Sequence, residues 1–212
     1  AQPVATGLDR YHRMPLPRFD HRAPNSREVL VVLEGDFAQA QHLAVLGGWD
    51  KVIWSTLDDL ATLQRCIDQM QPERISLCSG FDELAQGARH AISDLLRDSP
   101  SNTIVTSDDV IHWHQLGSTA GGYQNRQYRS ALSPIRLFTR GSIGGLISLP
   151  IDVLQAAMLQ NHYASLHGLK LELALSACRL GIPVKHCAHP LLKASARHNP
   201  SIPEQGWPAE RT

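Results

Sequence analysis

The chain has 212 residues, enough to bury a sizeable core as one domain with at most an appendage. Its 42% hydrophobic and 19% charged content is that of an ordinary globular protein. Lys+Arg and Asp+Glu both number 20, so no net field recruits nucleic acid or an anionic membrane.

Residues 1–27 are rich in Arg and Pro and carry neither a helical nor a strand period. They read as an extended arm that wraps the domain or contacts a partner, or as a loosely ordered terminus. Strands and helices then alternate. "EVLVVLEG" (28–35) is a continuous apolar run, expected for a strand covered on both faces. Asp36 caps a helix to about Leu46, which Gly47 and Gly48 end. "DKVIWST" (50–56) is a second strand, followed by a helix near 57–70 with Leu57, Leu60, Leu63 and Ile67 on one face. "ERISLC" (73–78) is a third strand, and a helix over 82–97 sets Leu84, Ala88, Ala91, Ile92 and Leu95 on a core stripe. "TIVTS" (103–107) is a fourth strand.

The second half is less regular. Residues 121–134 have the polar, glycine-bearing character of a loop over a site, and 135–150 read as two short strands around "GSIGG" (141–145). Pro150 opens a helix to about Tyr163. "LKLELALSACRLG" (169–181) is a further helix and "IPVKHCA" (182–188) a last strand, while 196–212 is an irregular tail. This order predicts an α/β fold with a mainly parallel sheet flanked by helices, its domain spanning 28–195.

Cys66, Cys78, Cys178 and Cys187 form no CxxC pair and lie in predicted helices and strands. They are expected to be reduced thiols of a cytoplasmic protein. The longest apolar stretch, "GGLISLPIDVLQAAML", is interrupted by Pro150 and Asp152, so no transmembrane segment and no signal peptide is expected.

No GxGxxG follows the first strand and no Walker loop is present, which disfavours nicotinamide dehydrogenases and P-loop NTPases. Ser107 lacks the flanking glycines of a nucleophile elbow. His112, His114, His186 and His189 have spacings that zinc would accept, but eleven histidines produce such spacings by chance. The acids Asp108 and Asp109 stand together where the fourth strand is predicted to end. Adjacent carboxylates repel unless a positive charge lies beside them, so they form either a solvated turn or a cation site. Ligands of α/β sheets collect at strand carboxyl ends, which favours the second reading.

In sequence order, the strand–helix half, "GFDELAQGARHAI", the acidic strand end "SDD" (107–109), "GSIGG" and "ELALSACRLGIPV" resemble the GT-A fold glycosyltransferases, small family-2-like bacterial enzymes of surface-polysaccharide synthesis in particular. The resemblance covers about residues 28–193 and rests on order and spacing. It implies a GT-A, Rossmann-like nucleotide-sugar-binding fold and inverting transfer of a sugar from a nucleotide-sugar donor to a glycan, polysaccharide or lipid-linked acceptor. That acceptor would bring peripheral contact with a membrane. The resemblance places Asp109 as ligand of Mn²⁺ or Mg²⁺ and Asp108 on the ribose or a metal-bound water, with Ser107 where the family's first Asp would stand. Asp82 and Arg89 would hold the donor base and diphosphate, Gly144 within "GSIGG" would face the donor sugar, and Glu172 would be the catalytic base. Lys170 and Leu171 depart from positions often acidic in the family. These departures leave open a catalytically degenerate binding protein of the same fold. A metal-dependent α/β hydrolase is a further alternative.

Overall fold

The computed structural model describes residues 16, 18, 19, 27–113, 123–127, 145–158 and 165–195. Strand β1 (Glu28–Leu33) is buried at every position, as its unbroken apolar run requires. Its side chains alternate between two cores: Val29, Val31 and Leu33 face one, Leu30 and Val32 the other. Helix α1 (Phe37–Gly47) starts at a capping box in which Asp36 accepts from the Gln39 N–H and the Gln39 side chain answers the Asp36 N–H. It ends at Gly48 in the left-handed region. Strand β2 (Val52–Ser55) follows, then a short 3₁₀ turn at Leu57–Asp59 and α2 (Leu60–Met70).

Strand β3 (Arg74–Ser79) is again fully buried. The segment expected to begin the third helix instead contains a two-residue strand, β4 (Glu83–Leu84), and α3 spans Ala88–Leu96. Gly87, at φ +73, sets the turn between them. Strand β5 (Ile104–Trp113) runs six residues beyond its predicted end. Residues Tyr123–Gln127, expected as loop, form strand β6 and pair antiparallel with β5 from Asp109 to Trp113. Strand β7 (Ile147–Pro150) leads directly into α4 (Ile151–Met158), and α5 (Leu166–Arg179) precedes the long strand β8 (Val184–Ser195).

The sheet order is β2-β1-β3-β7-β5-β8-β4, with β6 on β5. The α/β class is as expected, but the sheet is mixed. Its β1–β2, β1–β3 and β5–β8 pairs are parallel; β3–β7, β5–β7, β5–β6 and β4–β8 are antiparallel. The antiparallel entry of β7 between β3 and β5 is invisible to a reading of alternating elements, because strand direction is set by pairing rather than by local composition. Helices α2, α4 and α5 cover one face and α1 and α3 the other. From the N-terminal region, the Phe19 N–H donates to the Gln86 carbonyl, and its ring lies edge-on to His189 with centroids 6.0 Å apart. Among the described residues no helix is long and apolar enough to cross a membrane.

All four cysteines are free, Cys78 and Cys187 buried, Cys66 and Cys178 half-buried. Burial pushes the thiols of Cys78, Cys178 and Cys187 up from their ordinary range. Titration of the native protein with a thiol reagent should therefore label Cys66 first. Cys78 and Cys187 should react only on unfolding, and early labelling of Cys78 would contradict the buried placement of β3.

Candidate functional site

Strand order reverses at β1: its partner on one side is β2, on the other β3. Crevices of this kind, beyond the carboxyl ends of the two diverging strands, are where α/β sheets take ligands. The turns leaving β1 and β3 are locked together there. Glu34 adopts φ 74, a left-handed conformation uncommon outside glycine, followed by Gly35 at φ 71. The Ser79 hydroxyl donates to Glu34 Oε2 at 2.8 Å and accepts from the Phe81 N–H at 3.2 Å. Asp82 Oδ2 accepts from the Ser79 N–H at 3.2 Å, which orients the carboxylate at the strand end. A cleft lined by Asp36, Gln39, His42, Gly80, Phe81 and Asp82 opens at this crevice, with Phe81 42% exposed. An exposed aromatic face and an oriented carboxylate are the groups that stack and hydrogen-bond a heterocyclic base.

The acid pair lies further along the same edge. Strand β7 pairs with β5 only at Val105 and Thr106, and β6 takes up the ladder from Asp109. Asp108 and Asp109 therefore sit within a continuing strand at a change of neighbours, not in a solvated turn. Both are buried. On the other side the β5–β8 register shifts at Ser107/Asp108 and again at Asp108/Asp109. Such bulges re-aim side chains, and here the two carboxylates acquire different partners. Asp108 Oδ1 lies 2.9 Å from His186 Nε2, whose Nδ1 lies 3.3 Å from Thr106 Oγ1. Asp109 takes the Gly145 N–H on both oxygens, at 2.9 and 2.8 Å. The carbonyl of the same glycine accepts from Lys170 Nζ on α5.

Helix geometry decides what α5 presents. At about 100° per residue, Leu166, Lys170, Leu173, Ala174 and Ala177 form one stripe, and all are buried. Lys170 stands in the middle of that stripe. Glu172 is about 200° further round, where it meets Arg179 at 3.5 Å and Ser176 Oγ at 3.5 Å. The residue expected as catalytic base thus faces away from the sheet edge, and the residue noted only as a departure faces into it.

The remaining expected residues divide likewise. Ser107 is buried, and its hydroxyl has no hydrogen-bond partner among the described residues. Arg89 is 2% exposed and donates to Asp50 at 2.8 Å and the Gly48 carbonyl at 3.1 Å, between the end of α1 and the start of β2. Its charge acts on Glu28 at the start of β1, so it belongs to the opposite edge from Asp82 and does not join the crevice. Gly144 and the rest of "GSIGG" before Gly145 lie outside the described residues, as do His114 and the tail from residue 196. The structure thus groups Asp82 with Glu34 and Phe81, and Asp108 and Asp109 with His186, Gly145 and Lys170. The sequence does not single out His186 as the partner of Asp108; its spacing speaks only for zinc or for a surface or hydrogen-bonded histidine. The signal for Lys170 was available: a cation at the centre of an apolar helical stripe.

Carboxylate oxygens suit Mg²⁺ or Mn²⁺ by type. Here, however, Asp109 turns both onto a backbone N–H, and among the described residues no three His, Cys, Asp or Glu side chains gather. The expected metal ligand is therefore occupied as a hydrogen-bond acceptor, and the described residues do not form a metal-binding set by themselves.

These features define an α/β protein with a switch-point crevice beside a buried acid pair. No protein-family model and no curated protein matches the chain. Among solved structures, the crystal structure of A197 from STIV is similar over 76% of this chain and 82% of that one, at 5% identity and a TM-score of 0.43.

Proposed function

We propose that this chain is a GT-A-type glycosyltransferase that binds a nucleotide-sugar at the β1–β3 crevice and passes the sugar to a glycan or lipid-linked acceptor. The observation that supports it best is the crevice itself: Glu34 and Asp82 fixed by Ser79, with the exposed Phe81 ring beside them at the strand-order reversal. The base would stack on Phe81 and hydrogen-bond to Asp82, and the diphosphate would run along the edge toward Asp108 and Asp109. Transfer requires a group that takes the acceptor proton and fixed charge that stabilises the leaving diphosphate.

A second reading, a binding protein of the same fold without transfer, is favoured by Glu172, which is turned to Arg179 rather than to the sheet edge. One set of measurements separates them: thermal shifts with UDP-, GDP-, CMP- and dTDP-sugars, with and without Mn²⁺, followed by donor-turnover assays on any ligand that binds. Binding with sugar transfer supports the enzyme, and binding without turnover supports the second reading. Release of phosphate without transfer supports a hydrolase, and no shift with any nucleotide removes the nucleotide-sugar reading. In an active protein, Glu172→Gln should leave donor binding unchanged. A fall in transfer of about 10²–10⁴-fold would assign the base to Glu172. Transfer at the wild-type rate would leave it as a helix charge.

A further inference from the structure

A polyanionic ligand at this edge meets Asp82, Asp108 and Asp109, and Asp109, turned onto the Gly145 N–H, gathers no cation site among the described residues. Among the described residues, a side chain placed to give positive charge at this edge is Lys170. It is 5% exposed, in the centre of the buried face of α5, flanked by Leu169, Leu173 and Ala174, each fully buried. A lysine there costs far more than an apolar residue unless its charge is used. An ammonium has three N–H donors. Among the described residues Lys170 makes one hydrogen bond, to the Gly145 carbonyl. A purely structural clamp on Gly145 needs no more than that bond, and among the described residues the other two donors have no acceptor.

Its location is that of the ligand edge. Gly145 lies two residues before β7, whose antiparallel course places this end at the carboxyl end of β3 and beside Thr106 of β5, just before the acid pair. The Cys78 thiol, at the end of β3, lies within the electrostatic reach of both Asp82 and Lys170. Lys170 is joined to Asp109 through Gly145, close to where β3 ends.

We propose that the Lys170 ammonium is a built-in cation for a diphosphate group, standing in for a divalent metal, so that this protein binds its ligand without one. The assignment of the diphosphate to a nucleotide rests on the function proposed above; the anion site itself does not. Asp109 and Lys170 fix Gly145 from its two sides, which holds the ammonium still and lowers the reorganisation needed when the anion arrives. A lysine binds phosphate oxygens as a point charge, so the geometry tolerates either phosphate of the pair.

The test is calorimetric titration of the purified chain with inorganic pyrophosphate, inorganic phosphate and UDP or GDP, each in excess EDTA and again in Mn²⁺. The expected result is binding of pyrophosphate in EDTA, with a dissociation constant within about twofold of that in Mn²⁺. Lys170→Met, near in volume and neutral, should lose about tenfold or more in affinity, and Lys170→Arg should keep most of it. Circular dichroism and thermal unfolding check each variant. Should neither variant fold, the wild-type comparison decides alone. Binding that appears only with Mn²⁺, no pyrophosphate binding in either buffer, or a folded Lys170→Met that binds as the wild type would each overturn the proposal. Pyrophosphate binding in EDTA that is lost in Lys170→Met, with no nucleotide bound any tighter, would uphold the anion site and remove the nucleotide-sugar reading. Inorganic phosphate binding as tightly as pyrophosphate would overturn the diphosphate assignment.

Discussion

Gly80→Ala is expected to cost about 3 kcal/mol and to weaken ligand binding at the crevice. A methyl group at this position would overlap the carbonyl oxygen of Glu34, with Gly35 Cα only 3.1 Å away. The atoms it meets are backbone, which cannot swing aside as the tip of a flexible side chain would. Nor can Glu34 yield easily, since its left-handed φ of 74 is held by the Ser79 hydroxyl at 2.8 Å. Relief therefore requires the turns after β1 and β3 to separate, which displaces Phe81 and Asp82 together. Thermal unfolding should report a fall of about 10 °C for a chain of this size, and a nucleotide titration should report the loss of binding in the same sample. An Ala variant with wild-type stability would mean that the two turns do not approach as closely as described.

Much of the fold was legible because each element satisfies its own local physics. The runs at 28–33 and 74–79 are buried on both faces, and Asp36 with Gln39 writes a helix start into four residues. What was not legible depends on partners distant in sequence. The polar stretch "YQNRQ" looks like loop, yet it becomes β6 because β5 outruns β7 and leaves its edge unpaired from Asp109 onward. The same extension moved the acid pair from a strand end into a strand interior. The bulges on β8 then sent Asp108 to His186 and Asp109 to Gly145, a division that no spacing in "SDD" encodes. In α5 the helix was predicted but its face was assigned by resemblance. Counting turns from Leu166, Leu169 and Leu173 would have put Lys170 inward and Glu172 outward without any structure. Arg89 shows the reverse difficulty. It is the second residue of α3, but its partner Asp50 follows a different helix, and the packing of α1 against β4 and the Gly87 turn brings the two to 2.8 Å.

At the opposite edge of the sheet, Glu28→Ala is expected to destabilise the protein by about 3–5 kcal/mol, whereas Glu28→Gln should stay within about 1 kcal/mol of wild type at neutral pH. Glu28 is 3% exposed and ties three strands: its Oε1 accepts from Ser76 Oγ at 2.6 Å and Ser148 Oγ at 3.1 Å. Arg74, also buried, donates to the same Ser148 hydroxyl at 3.3 Å and to the Ser101 carbonyl at 3.2 Å. Alanine would leave two buried hydroxyls without their acceptor and a cavity where the side chain was. Glutamine keeps an acceptor oxygen in place. Burial raises the Glu28 pKa above its ordinary value of 4.5, against the opposing pull of the Ser76 hydrogen bond, Arg74, the Ser148 hydrogen bond and Arg89. The folded state thus prefers the protonated acid. Its contribution to stability is complete below pH about 4.5, declines as pH rises through the raised folded pKa, and is flat above it. Glutamine cannot ionise, so the stability difference between wild type and Glu28→Gln should move steadily against the wild type over that window, measured by urea unfolding at a series of pH values. A difference that stays constant across the window, or that shifts toward the wild type as pH rises, would show that Ser76, Ser148 and Arg74 outweigh burial and that Glu28 is held as a carboxylate.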